Sequence, residues 1–145
     1  MMTTIRQLLD TKGSDVWKIT ADANVFDALR LMAEKNVGAL LVFDRNKIVG
    51  IFSERDYARK VILKGKNSRE CSVSEIMTGK VVYVRPSQTI EETMALMTDK
   101  HVRHLPVCEK DEIFGIVSIG DVVKAMISDQ EFIIGQLENY ISQGG

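Results

Sequence analysis

The sequence predicts an α/β fold of the α+β kind, in which two small sheets pack against helices. Three observations predict it. Sliding the chain against itself by 65 positions aligns residues 16–62 with 81–127 without a gap. Thirteen of those 47 positions are identical: Val16, Leu31, Met32, Lys35, Val37, Leu40, Val42, Ile48, Gly50, Ile51, Ser53, Asp56 and Ile62 recur 65 residues later. Such self-similarity marks an internal repeat. Each copy also switches between strand-like and helix-like apolar spacing in the same order. Finally, both carry Gly-aliphatic-aliphatic-Ser-x-x-Asp at the same point, "GIFSERD" at 50–56 and "GIVSIGD" at 115–121.

The elements follow in order within each copy. A short strand ("VWKIT", "VVYV") leads to a turn at Asp22-Ala23-Asn24 or Pro86-Ser87-Gln88. Val25, Ala28, Leu29 and Met32, and then Ile90, Met94 and Met97, fall at helical spacing. Two strands follow, "ALLVF" with "IVGIF" and "HLPVC" with "IFGIV", joined by polar turns such as Asp44-Arg45-Asn46-Lys47. A second helix, "SERDYARKVI" or "SIGDVVKAMI", closes each copy. Helices on one face of a small sheet would bury these Met, Leu and Val positions. The predicted organisation is an N-terminal helical arm (1–13), repeat 1 (14–64), a linker with a short helix (65–79), repeat 2 (80–128) and a C-terminal helix (129–145). In the linker, Ser72 and Glu75 have capping-box spacing. In the tail, Ile133, Leu137, Tyr140 and Ile141 form a stripe that needs a partner surface, for which a second subunit is one candidate.

Composition narrows the function. The chain of 145 residues is 45% hydrophobic and 27% charged, with a formal charge of -1 and both signs interspersed. No broad basic face can neutralise a phosphate backbone, which argues against nucleic acid. The longest apolar stretches are strand-sized, and "MMTTIRQLLD" lacks a signal-peptide core, so no membrane association and a cytoplasmic location are expected. Cys71 and Cys108 read as free thiols. His101, His104 and Cys108 do not make a convergent zinc set, because residues three apart entering a strand point to opposite faces. "KGKNSR" fails the phosphate-loop pattern, since Lys60 stands five before Gly65 and Asn67 follows the lysine. There is no G-x-G-x-x-G, and no motif combines a nucleophile, a base and an orienting group, so no enzyme is expected.

The tandem segments "VGALLVFDRNKIVGIFSERD" and "VRHLPVCEKDEIFGIVSIGD", with "VSEIM" ahead of the second, resemble a pair of CBS domains, a Bateman module, over roughly residues 14–128. The specific part is the doubled Gly-aliphatic-aliphatic-Ser-x-x-Asp. The resemblance implies two pseudo-twofold related β-α-β-β-α repeats, clefts between them that hold adenine nucleotides, and modules that pair as homodimers. Carried over by position, one cleft would combine Ile116, Ser118 and Asp121 with Thr20, Val37, Gly38 and Ala39. The other would combine Ile51, Ser53, Arg55 and Asp56 with Val84, Arg85, Val102, Arg103 and His104. AMP, ADP, ATP or NAD is the expected ligand, with no metal required.

The chemistry of the motif agrees with that use. A carboxylate accepts hydrogen bonds from both ribose hydroxyls, which suits Asp56 and Asp121. Ser53 and Ser118 stand at helix N-termini, where phosphate is favoured. The same Ser-x-x-Asp pattern is also an ordinary capping box, and one serine can serve both purposes. Arg55 is matched by Gly120 and Arg103 by Gly38, so the two clefts should differ in charge, room and affinity. Two functions follow: a regulatory sensor that acts on an effector protein in trans, or a constitutive dimerisation scaffold with empty clefts.

Overall fold

The computed structural model describes residues 3–144. In chain order the elements are α1 (Ile5–Lys12), β1 (Lys18–Thr20), α2 (Val25–Lys35), β2 (Ala39–Asp44), β3 (Lys47–Ser53), α3 (Glu54–Tyr57), α4 (Val73–Ile76), α5 (Ile90–Lys100), β4 (His104–Glu109), β5 (Glu112–Ser118) and α6 (Ile119–Gly144). A π-helical turn, Ala58–Ile62, prolongs α3. The chain divides into two compact units, Val16–Val82 and Met1–Asp15 with Tyr83–Gly145.

In the unit of residues 16–82, β1 pairs with β2 in parallel and β2 with β3 antiparallel. Helix α2 starts at Asn24, whose side chain accepts from the Asp27 N–H, and ends at Asn36 in the left-handed conformation. Arg45 and Asn46, both at positive φ, turn β2 into β3 through a hairpin whose twist suits the strands. Val25, Ala28 and Met32 from the helix meet Leu40, Val42 and Phe52 from the sheet, and Val73 and Ile76 of α4 complete this core.

The other unit repeats these devices. Helix α5 is capped by Thr89 and Glu92 in a capping box and ends at His101, again left-handed. Lys110 and Asp111 at positive φ join β4 to β5. Both hairpins carry a register shift at the same place, Val42/Phe43 and Val107/Cys108. Ile5, Leu8 and Leu9 of α1 are buried with Val84, Ile90, Met97, Leu105, Val107 and Val117.

Three features differ from the sequence reading, each for a local reason. "VVYV" does not make a strand; only Val84 bridges to Val107. In the first copy Leu41 N–H donates to the Trp17 carbonyl and Ala21 N–H to that of Phe43. The matching positions are Pro106 and Pro86, which have no N–H, so both outer bonds of the ladder are lost. Ser72 makes no side-chain cap on α4; the N–H groups of Val73 and Ser74 are taken by the carbonyls of Ala23 and Ala21. The break placed at residue 129 is absent, and α6 runs through it as one helix. Asp129 accepts from Thr3 Oγ1 at 2.7 and 2.8 Å rather than capping a new helix.

The glycines of the repeated motif are explained by close approach. A Cβ on Gly50 would lie 2.5 Å from Met77 Sδ and 2.8 Å from the Thr78 carbonyl oxygen, and one on Gly115 would lie 2.8 Å from Leu9 Cδ2. The first clash includes backbone and the second only the tip of a side chain. We therefore expect Gly50→Ala to destabilise by about 1–3 kcal/mol, as overpacking does, and Gly115→Ala to cost less. Thermal denaturation of the two variants, ranked in that order, checks this.

Candidate functional site

Each copy brings its Ser-x-x-Asp to the junction between its last strand and the helix that follows. At Ser53 the hydroxyl accepts from the Asp56 N–H at 3.2 Å, while Asp56 Oδ2 accepts from the Ser53 N–H and hydroxyl, both at 3.1 Å. At Ser118 the hydroxyl accepts from the Asp121 N–H at 3.1 Å, and Asp121 Oδ2 accepts from the Ser118 N–H at 2.8 Å. The capping reading of the motif therefore holds in both copies. The residue entering the preceding strand is tied to the same junction: Glu54 N–H donates to the Gly38 carbonyl and Ile119 N–H to that of Arg103. Ala39 lies opposite Ser53 in the sheet register, and His104 opposite Ser118.

Each carboxylate also has a partner from outside its repeat motif. Thr78 Oγ1 donates to Asp56 Oδ1 at 3.2 Å, and Lys60 Nζ stands 3.2 Å from the same oxygen while donating to the Ile76 carbonyl. Lys12 Nζ stands 2.6 Å from Asp121 Oδ2 and donates to the Ile116 carbonyl at 2.5 Å. The equivalent carbonyl, that of Ile51, accepts from the Thr78 N–H. So the segment ending α4 meets Asp56 and Ile51, and the end of α1 meets Asp121 and Ile116. Thr78 and Lys12 are the polar residues that the sequence reading missed. Their signal lay in the chain: "TTIRQLLDTK" at 3–12 and "CSVSEIMTGK" at 71–80 align Ile5, Leu8 and Lys12 with Val73, Ile76 and Lys80 at an offset of 68, not 65.

The two aspartates differ in access. The Asp56 side chain is 11% exposed and that of Asp121 26%. Burial alone would raise the Asp121 pKa, but hydrogen bonds from Lys12 and Ser118 and the lysine charge outweigh it and hold the carboxyl below the usual aspartate value of 3.8. Of the remaining predicted residues, Arg55, Val37, Val102, Ile51 and Ile116 are half-buried, and Thr20, Arg85 and Arg103 are exposed. Val84 is fully buried with both its backbone groups bonded to β4, at Pro106 and Cys108, so it supports Arg85 rather than offering polar atoms itself. Burial pushes the Cys108 thiol up to about 11, which keeps it protonated at neutral pH. Among the described residues no group of three or more His, Cys, Asp or Glu is placed to hold a metal ion, and no helix is long and apolar enough to cross a membrane.

Two copies of a small-sheet unit, each with a capped aspartate at the strand-to-helix junction, define a tandem-repeat α/β module. The CBS-domain family model matches residues 5–63 and 73–128, and the chain belongs to that family. Both matches begin at the helix ahead of each repeat, at Ile5 in α1 and Val73 in α4. A CBS-domain protein of Burkholderia ambifaria is 50% identical in its solved structure, with a TM-score of 0.84 over 88% of this chain and 96% of that one. One from Agrobacterium tumefaciens is 39% identical, with a TM-score of 0.81 over 87% of this chain and 95% of that one. The mitochondrial CBS-domain protein CBSX3 of Arabidopsis thaliana is 39% identical over 99% of this chain and 73% of its own length. Pairs of CBS domains are generally regulatory and nucleotide-sensing.

The depressed pKa fixes a pH dependence. A carboxylate whose folded pKa lies below its unfolded value of about 3.9 stabilises the fold fully above that value and loses the contribution as pH falls through the folded pKa. In Lys12→Met the Asp121 titration midpoint, followed by carboxyl carbon NMR, is expected to move up. The acid limb of the melting curve below about pH 4 should then be shallower than in the wild-type protein.

Proposed function

We propose that this chain is a regulatory module that senses an adenine nucleotide, reading the ribose with the aspartates of its two Ser-x-x-Asp junctions. One observation carries the reading: a half-open carboxylate, Asp121, is held ionised at neutral pH with a lysine ammonium and a serine hydroxyl beside it. A carboxylate suits paired ribose hydroxyls, and the ammonium and hydroxyl suit a phosphate. Ile116, Ser118 and Asp121 act with Thr20, Val37, Gly38 and Ala39 around one ligand. Ile51, Ser53, Arg55 and Asp56 act with Arg85, Val102, Arg103 and His104 around the other. AMP, ADP, ATP and NAD all present the required adenosine end. Asp121 is the better placed of the two, because its side chain is the more exposed and a ligand there meets one protein partner, Lys12, where one at Asp56 meets Thr78 and Lys60. Binding shifts the population of conformers by no more than its differential affinity for them, and the output passes to a separate effector protein.

The scaffold reading draws support from the opposite side of the same facts. Both carboxylates are already satisfied by protein donors, so neither requires a ligand for the fold to stand. Melting with and without millimolar AMP, ADP, ATP, NAD and NADP separates the two. A nucleotide at about a hundred times its Kd adds roughly 2.7 kcal/mol, or about 5–10 °C for a domain of this size. We expect that shift with at least one of the first four, its loss in Asp121→Ala, and a weaker response to NADP, whose 2'-phosphate would sit against a carboxylate. No shift with any nucleotide would favour the scaffold.

A further inference from the structure

Helix α1 is fastened differently at its two ends. At its start the Ile5 and Arg6 N–H groups donate to the carbonyls of Gln88 and Pro86, the Ile90 N–H donates to the Thr3 carbonyl, and Thr3 Oγ1 donates to Asp129. Ile5, Leu8 and Leu9 are buried. Beyond Leu9 every residue as far as Asp15 is exposed. Among the described residues, 10–15 reach the unit beyond α1 by hydrogen bonds or ion pairs through Lys12 alone, whose ammonium bridges Asp121 Oδ2 and the Ile116 carbonyl. Gly13 follows at φ 104 with open space around it, so the chain can turn there without strain. The bridge is a weak hold. With the Lys12 and Asp121 side chains 32% and 26% exposed, it is worth a factor of about two to five.

We propose that Lys12 is a latch that exchanges partners: it holds the end of α1 on Asp121 in the empty junction and passes to the phosphate of a bound adenine nucleotide, transferring that end from protein to ligand. The proposal rests on the nucleotide-sensing reading and adds its regulation. Asp121 cannot be read without disturbing the bridge, because Oδ2 already accepts from the Ser118 N–H and meets the ammonium. What becomes of the ammonium then decides which ligand is accepted. A nucleoside brings no charge, so taking the carboxylate leaves Lys12 without a counter-ion. A nucleotide brings its own anion, and an ammonium on a flexible four-carbon stem can follow it. Lys12 therefore sets a preference for phosphorylated over unphosphorylated adenosine. The other junction lacks this device. There the approaching segment meets Asp56 through Thr78, which is neutral and bonded to Ile51 by both backbone groups, so a phosphate has no charged strap to draw away.

Two measurements on the full chain test it. Without nucleotide, hydrogen exchange reads the hold through the Gly13 N–H, which is bonded to the Leu9 carbonyl. Lys12→Met, and Asp121→Asn, which keeps an acceptor for the Ser118 N–H, should each speed it by about two- to fivefold. The double variant should go no further, and the Leu8 N–H, bonded to Thr4, should stay at its wild-type rate in all three. An unchanged Gly13 rate in either single variant, or additive effects in the double, would overturn the latch. Calorimetric titration then compares adenosine with AMP, ADP, ATP and NAD. In the wild type at least one of these four should bind about tenfold or more tighter than adenosine. In Lys12→Met that nucleotide should weaken and adenosine tighten, closing the ratio to about threefold or less. Affinities that move together in that variant rule the exchange out: a lysine that only competes would tighten both when removed, and one that only supports the fold would weaken both. Binding by none of the five would sink the sensing reading and the exchange with it, while the Gly13 rates still decide separately whether Lys12 holds α1.

Discussion

The structure turns on the absence of two side chains. Gly50 and Gly115 leave the surface of β3 and β5 bare enough for Met77 with Thr78, and for Leu9, to lie directly against the strand. In each case the approaching segment comes from ahead of the other repeat. Helix α4 precedes the second copy and packs on the first, while α1 precedes the first copy and packs on the second. A unit thus consists of one repeat plus a borrowed helix, and that helix supplies real core: Val73 and Ile76 in one unit, and Ile5, Leu8 and Leu9 in the other. Removing the arm would strip its unit of three buried aliphatic residues and costs far more than trimming a terminus usually does.

What was legible in the sequence follows from the same arrangement. The repeat showed itself because both copies solve the same packing problem with the same spacing, down to the left-handed caps at Asn36 and His101 and the paired positive-φ turns. The aspartates were legible because three residues are enough to specify a capping box. Their outer partners were not, since α1 and α4 repeat at 68 rather than 65 and each packs on the copy other than the one it precedes. The missing first strand of the second copy was written in the chain as Pro86 and Pro106. It becomes readable only once Ala21 and Leu41 are known to donate the bonds those prolines cannot. The single α6 was hidden behind Ser128 and Asp129, which resemble a helix start until Thr3 takes the aspartate.

Under the proposed nucleotide-sensing role, capping and ligand binding compete for the same oxygens. Asp121 Oδ2 is shared between the Ser118 N–H and Lys12. A ribose hydroxyl at that carboxylate must displace or share with the ammonium, and a phosphate nearby would draw it away. Lys12 is the last residue of α1 and also holds the Ile116 carbonyl, so a ligand at Asp121 would be linked to how the end of α1 is seated. Linkage is reciprocal: whatever stabilises α1 in its present place opposes the ligand by the same free energy. Asp56 is held differently: its lysine lies one turn along its own helix, and its threonine is pinned to β3 through both backbone groups. The two junctions share a motif but hold their carboxylates differently: Asp121 through a lysine at the end of α1, Asp56 through Thr78 and a lysine one turn along.

Helix α6 joins these themes, because Asp121 sits in its first turn and exposed apolar side chains continue along it as far as Ile141. Twenty-six residues span about 39 Å at 1.5 Å per residue, with no proline to break the rod. A tilt at either end is therefore carried to the other as a rigid movement rather than absorbed in a loop. The body end of the helix is fixed at Val122, which is fully buried, and at Asp129 through Thr3. Thr3 leads directly into α1, the helix whose last residue holds Asp121. The arm therefore touches the sensing helix at two points eight residues apart, at the carboxylate and at the place where the helix leaves the unit. Any movement of α1 would therefore reach the far half of α6 by way of Thr3 as well as through α6 itself.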